Sequence, residues 1–188
     1  MDAQLTSTNN DLPLMRSEFG GYRFGSLDKL TLEQHTELAR LVERPLDSQN
    51  STPLAGRTAT IGHPVPGLGR VFVKRYARGG LLGKLISDLH LRQSPSRPEQ
   101  EFRMLMQVRS LGIFAPKPVA FLERGERLYR AWLAMEELEN SESLVTLSLK
   151  DEDRVHALFD KVSEQLEILV ANRILHVDFH PGNVVVTP

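Results

Sequence analysis

The stretch from Val170 to Pro188 reads V-A-N-R-I-L-H-V-D-F-H-P-G-N-V-V-V-T-P. Within it stands H-x-D-x-x-x-x-N, with His176, Asp178 and Asn183 at the fixed positions. Ile174 and Leu175 lead the chain into the motif, and Val184, Val185 and Val186 carry it out as a predicted strand. A loop pinned at both ends can aim a carboxylate and an amide at one point. In phosphoryl transfer such an Asp takes the proton of the attacking hydroxyl, and the Asn binds a magnesium ion that bridges the phosphates. The spacing alone turns up by chance in roughly one chain in a hundred of this length. A plainer assignment, with Asp178 as a helix cap and Pro181-Gly182-Asn183 as a simple turn, therefore stays open until the upstream sequence is read.

A chain of 188 residues, 40 % hydrophobic and 25 % charged, can bury one real core. The absence of cysteine excludes a disulfide framework and thiolate metal sites, and fits a reducing compartment. The start Met1-Asp2-Ala3-Gln4 lacks the basic-then-apolar pattern of a signal peptide, and no apolar run reaches membrane-spanning length. The expected address is cytoplasmic. A net charge of −1 hides two opposed runs. Residues 70–97 hold seven Lys/Arg against one acidic residue, and residues 136–167 hold ten Asp/Glu against three Lys/Arg. Such runs are often only solvated faces, but Gly79-Gly80, Gly83 and the apolar Leu81, Leu82, Leu85 and Ile86 fall within the basic one. That mixture suits a phosphate or an anionic membrane surface.

Residues 1–20 read as polar and irregular. Thr31 to Val42 is a predicted helix with Leu32, His35, Leu38, Ala39 and Val42 on one face, His35 as a satisfied core histidine, and Pro45 as its stop. Leu54–Ile61 and Arg70–Tyr76 are predicted strands, joined by a turn-rich connection over 62–69. Alternation puts Phe72, Lys74 and Tyr76 on one face, so the Lys74 ammonium needs a carboxylate or a phosphate. Ser96-Arg97-Pro98-Glu99 reads as a capping box opening a helix to about Leu111, with Glu101 on its inward stripe. An inward Glu after an inward strand Lys is the pair that positions a phosphate-binding lysine. A hairpin around Arg124-Gly125-Glu126 leads to Glu136-Glu137-Leu138, and a long buried-face helix opens at Ser148.

The order of these parts resembles the protein-kinase-like superfamily. His176-Val177-Asp178-Phe179-His180-Pro181-Gly182-Asn183 is similar to the loop of its small-molecule branch, as in aminoglycoside phosphotransferases. Arg75-Tyr76-Ala77-Arg78-Gly79-Gly80, Glu101-Phe102-Arg103-Met104-Leu105 and the later Pro116-Lys117-Pro118 resemble lipopolysaccharide core kinases, among them the 3-deoxy-D-manno-octulosonic acid (Kdo) kinases. The likeness covers roughly residues 54–188 and leaves the first fifty unexplained.

The resemblance implies an α+β, protein-kinase-like two-lobed fold, with an antiparallel-sheet N-lobe and an incomplete helical C-lobe. The expected division is an N-terminal extension with a short helix (1–53), an N-lobe (54–138) and a partial C-lobe with the catalytic loop (139–188). It makes Asp178 the catalytic base and Asn183 a ligand of Mg2+. Lys74 would hold the phosphates of ATP, and Glu101 would hold Lys74. Gly56 would approach the nucleotide, and Glu136, Glu137 and Leu138 would form the adenine hinge. The implied acceptor is a sugar hydroxyl on the glycolipid core of lipopolysaccharide. The basic segment Arg75–Lys84 would then touch the cytoplasmic face of the inner membrane.

Nucleic acid is not an expected partner, because Phe72 and Tyr76 face inward and offer no exposed stacking platform. Three features depart from the pattern. The chain ends five residues after Asn183, before the family's second metal-binding Asp, which leaves two expectations: a fragment of a longer reading frame, or a degenerate, non-catalytic module that holds nucleotide or anionic lipid. Phe72 stands where kinases place a small residue against adenine, and Gly56 lacks glycine neighbours.

Overall fold

The computed structural model describes residues 12–44, 62–76, 89–92, 94–175 and 179–188. The predicted strand 54–61, the Arg75–Lys84 segment beyond Tyr76, and His176 to Asp178 lie outside the described residues.

The frame is an antiparallel sheet of seven strands in the order β1-β2-β6-β7-β4-β3, with β5 pairing the start of β7 beside β4. The strands are β1 (Met15–Phe19), β2 (Tyr22–Ser26), β3 (His63–Val65), β4 (Gly69–Arg75), β5 (His90–Leu91), β6 (Pro118–Gly125) and β7 (Leu128–Glu136). Alternation along the strands divides their side chains between two faces. On one face Tyr22, Phe24, Val71, Ala120, Leu122, Trp132 and Ala134 pack against Leu38, Leu41 and Val42 of helix α1 (Leu32–Glu43). On the other face Tyr76, Phe121, Tyr129, Ala131, Leu133 and Met135 pack against Phe102 of helix α2 (Arg97–Ser110). A helix on each face leaves Phe24, Phe121, Leu122 and Leu133 at most 1 % exposed. Burial of each such side chain is worth about 1.5–3 kcal/mol.

Met15–Phe19, within a stretch whose sequence suggested irregular structure, is a strand. Residues 15–26 form a hairpin whose second strand pairs with β6, so this segment extends the sheet rather than trailing from it. Its turn is Gly20-Gly21, with φ of +58° and +79°, the left-handed pair that a two-residue hairpin turn requires. The charges of Met15-Arg16-Ser17-Glu18-Phe19 masked the alternation in the sequence. The connection read as turn-rich over 62–69 contains the short strand β3, and its Pro64 suits the position of β3 at the margin of the sheet among the described residues.

Helix α1 is held by a full capping box between Thr31 and Gln34. Leu32, expected on the inner face, is 72 % exposed, and Leu41 is buried on that face in its company's place. His35 is a satisfied core histidine: its Nδ1 lies 2.8 Å from the Thr31 carbonyl and its Nε2 lies 2.7 Å from Ser17 Oγ. Because the carbonyl can only accept, Nδ1 donates to it.

Two helix starts differ from the sequence reading. Ser96 is the N-cap of α2 by position, but its hydroxyl makes no capping bond, and the Glu99 carboxylate that would complete a capping box binds Arg16 and Arg103 instead. Ser148 closes a short helix, α3 (Leu144–Ser148), and Asp151 caps α4 (Glu152–Ala171) by accepting from the Arg154 N–H. Helix α4 is also less covered than its period implied. Val155 meets Leu144 and Leu147 near one end and Leu169 meets Val108 and Ile113 of the α2 region near the other, while Phe159 and Val170 are exposed. The last strands, β8 (Glu142–Ser143) and β9 (Val185–Val186), form a separate two-stranded sheet.

Candidate functional site: a lysine–glutamate pair

Strand β4 and helix α2 bring two predicted site residues together. Lys74 Nζ donates to Glu101 Oε1 at 2.6 Å, across 27 positions of sequence. The Lys74 and Glu101 side chains are 45 % and 32 % exposed, so the pair stands at an opening rather than inside the core. Phe72 and Tyr76 on either side of Lys74 join the α2-facing core. An exposed pair of this kind adds little stability, roughly 0–1 kcal/mol. Its value lies in holding an ammonium group at a fixed place.

A third member was not recognised in the sequence. The Tyr76 hydroxyl donates to Glu101 Oε2 at 2.6 Å, so both carboxylate oxygens are engaged. Burial, reinforced by the neighbouring Glu101 charge, pushes the Tyr76 phenol pKa well up and keeps it a donor. The available signal was the same-face alternation of Lys74 and Tyr76 two residues apart.

The segment predicted as the hinge begins at the end of β7. Met135 pairs with Phe72 and Glu136 with Val71. The Glu136 N–H donates to the Lys117 carbonyl at 2.9 Å, and the Glu137 N–H to the Arg70 carbonyl at 2.8 Å. The Glu137 carboxylate accepts from the Gly62 N–H at 2.8 Å and from Arg70 Nε at 2.5 Å. A Cβ at Gly62 would fall 2.4 Å from that carboxyl carbon, so the close approach needs glycine. Burial works to raise the Glu137 pKa, but the bonds from Arg70 and Gly62 outweigh it and hold the group below the ordinary carboxylate value. Glu137 thus spends its N–H and its side chain on fixing the strand edge. Of the three predicted hinge N–H groups, Leu138 is the one that these bonds do not take up.

The end of the loop motif is tied by backbone pairing to Glu142–Leu144, a few residues beyond the predicted hinge. Ser143 pairs with Val185, and the Leu144 N–H donates to the Val184 carbonyl at 2.9 Å. Asn183, next to Val184, closes a single turn of 3-10 helix (Pro181–Asn183). The His180 ring braces that turn by accepting the Gly182 N–H at 3.1 Å. Asp178, His176 and Gly56 lie outside the described residues. Among the described residues there is no cluster of three or more His, Asp or Glu groups suited to a metal. Two cavities, of about 660 Å³ between α1 and the β3–β4 hairpin and about 460 Å³ beside β1 and β2, are lined by neither Lys74, Glu101 nor Glu136 to Leu138. Ordinary surface ion pairs such as Arg40–Glu37 border the first, so the chemistry is better sought at the Lys74–Glu101 opening.

Comparison with known proteins bears on the same residues. No solved structure matches the chain. It is similar to 3-deoxy-D-manno-octulosonic acid kinases of Vibrio vulnificus (strain CMCP6), 32 % identical over 117 residues, and of Vibrio cholerae serotype O1, 28 % identical over 117 residues. A third such relative, from Actinobacillus succinogenes, is 31 % identical over 120 residues. Each alignment covers 61 % of this chain and 49 % of the relative, so the chain spans about half the length of the curated relatives it matches. The profile of the Lipopolysaccharide kinase (Kdo/WaaP) family matches residues 55–188. That range takes in the strand bearing Lys74, the helix bearing Glu101 and the turn bearing Asn183, in an α+β, kinase-like arrangement, and the chain belongs to this family.

Proposed function

We propose that the chain carries the nucleotide-holding and catalytic-loop parts of an ATP-dependent phosphotransferase whose acceptor is a sugar hydroxyl of lipopolysaccharide core. The observation that carries this reading is the 2.6 Å bond between Lys74 Nζ and Glu101 Oε1 at an open edge. In this reading Lys74 grips the donor phosphates and Glu101 keeps the ammonium from swinging to solvent. A base would lie against Phe72 and Met135, read by Leu138 and by hinge carbonyls, since the Glu136 and Glu137 N–H groups are taken. Phe72 would narrow that space, and Gly56 would close over the phosphates.

Asp178 orients the acceptor hydroxyl and accepts its proton, and its placement five residues before Asn183 suits that role. Magnesium fits the donor set in part, because such an ion takes one or two protein oxygens and completes its shell with phosphates and water. Asn183 would hold it, and when bound it offsets charge on the phosphates. A sugar acceptor on a lipid suits the basic Arg75–Lys84 segment, which would rest against anionic headgroups at the cytoplasmic face of the inner membrane. No helix of the described residues is long and apolar enough to cross a membrane.

Phosphate transfer from magnesium-ATP to a panel of lipid A precursors tests the proposal. Asp178→Ala is expected to slow transfer by about 10²–10⁴, the usual share of a general base. Transfer at the unaltered rate would contradict the role of Asp178. Phe72 favours one second reading, a module that binds nucleotide or anionic lipid without turnover. Saturable nucleotide binding with no transfer to any acceptor would select it.

A further inference from the structure

We propose that Tyr76 is a positioning residue for Lys74: its hydroxyl holds the second oxygen of Glu101 and so fixes the carboxylate that holds the ammonium. This rests on the nucleotide-holding role given to Lys74 above. A glutamate with one partner can turn about its last torsion and exchange its two oxygens. A second donor on the opposite oxygen stops that rotor. Lys74 cannot do this alone, since its ammonium ends a flexible four-carbon stem.

Tyr76 can, because it is fixed from every side. Its side chain belongs to the α2-facing core, and the residue is 3 % exposed. Its backbone N–H donates to the Ala131 carbonyl at 3.0 Å, and its carbonyl accepts from His90 Nε2 at 3.2 Å. The Lys74 ammonium lies 5.2 Å from the centre of its ring and the Arg97 guanidinium 5.5 Å, both within cation–π range. The phenol therefore reaches Glu101 from a rigid base, and the same ring flanks the ammonium it helps to place. Two residues apart on one strand face is the spacing that lets Lys74 and Tyr76 meet opposite oxygens of one carboxylate.

The test is amine labelling of the full chain without nucleotide, with the rate at Lys74 followed by mass spectrometry. Exposed Lys117 serves as internal standard for the reagent, and Lys150, held by Glu142 at 2.7 Å, as the control whose rate general loosening would raise. Tyr76→Phe keeps the ring and removes only the hydroxyl. The Lys74 rate relative to Lys117 is expected to rise about 3- to 10-fold, the equivalent of one net hydrogen bond. Glu101→Gln, which removes the charge that holds the ammonium, should raise it at least as far. A Lys74 rate in Tyr76→Phe equal to that of the unaltered chain, with Glu101→Gln elevated, would overturn the proposal. A parallel arm adds magnesium-ATP to the unaltered chain. Failure of the nucleotide to protect Lys74 would sink the nucleotide-holding reading, while the comparison made without nucleotide still decides whether Tyr76 positions Lys74.

Discussion

The sheet and helix α4 treat their apolar residues in opposite ways. Sheet residues are covered on both faces, by α1 and by α2, so that Phe121 and Leu122, neighbours pointing in opposite directions, are 1 % and 0 % exposed. Helix α4 has the longer apolar period but touches other elements mainly near its ends, and Phe159 and Val170 remain 49 % and 74 % exposed. Apolar periodicity states what a segment can bury. Neighbours decide what it does bury.

The contrast can be broken most sharply at Phe121. Its ring packs edge-on to Phe102 at 5.7 Å, with the Arg16 guanidinium 5.0 Å from its centre. Phe121→Ala should cost about 3–5 kcal/mol in urea unfolding. A loss no larger than that of an α4 surface substitution would show that the sheet is not the stable half.

The next effect lies on α2, where Glu99 and Glu101 stand two residues apart with different duties. Glu99 is 8 % exposed and binds Arg16 at 2.7 Å and Arg103 at 2.9 Å, and Arg103 also donates to the Leu12 carbonyl. These bonds tie the helix that carries Glu101 to the N-terminal hairpin. Burial works to raise the Glu99 pKa, but the two guanidinium groups outweigh it and hold the carboxyl below its ordinary value. Glu99→Gln should cost about 1–2 kcal/mol at neutral pH, kept modest because the Arg16 partner is half in solvent. A depressed folded pKa contributes stability that is complete above the unfolded value, about 4.3, and is lost as pH falls through the folded value. The gap between Glu99→Gln and the unaltered chain should accordingly narrow as the pH is lowered below about 4.3. A gap unchanged down to the acid transition would remove the ion pairs as its cause.

The smallest effect is expected on the exposed side of α4. Phe159→Gln keeps the helix and removes a ring that meets only the edge of His156 at 5.2 Å among the aromatic contacts described. Thermal unfolding should shift by no more than about 0.5 kcal/mol. A larger loss would mean that this face is covered in solution.

The sequence by itself determined the parts whose signal is local. The alternation of Arg70–Tyr76 placed Lys74 and Tyr76 together, and the period of α2 put Glu101 on the side that meets them. Pairing and helix periods repeat over a few residues, so short windows reveal them. Tertiary structure alone decided the rest. Glu99 reads as a capping residue until Arg16, 83 positions away, comes within 2.7 Å. Nothing local marks the Glu137 carboxylate as the partner of Gly62 and Arg70. Residues 15–20 read as irregular until β2 and β6 give the segment an edge to pair with. In each case the partner lies far off in the chain, and a charged or strand-edge group goes to whichever donor the fold delivers.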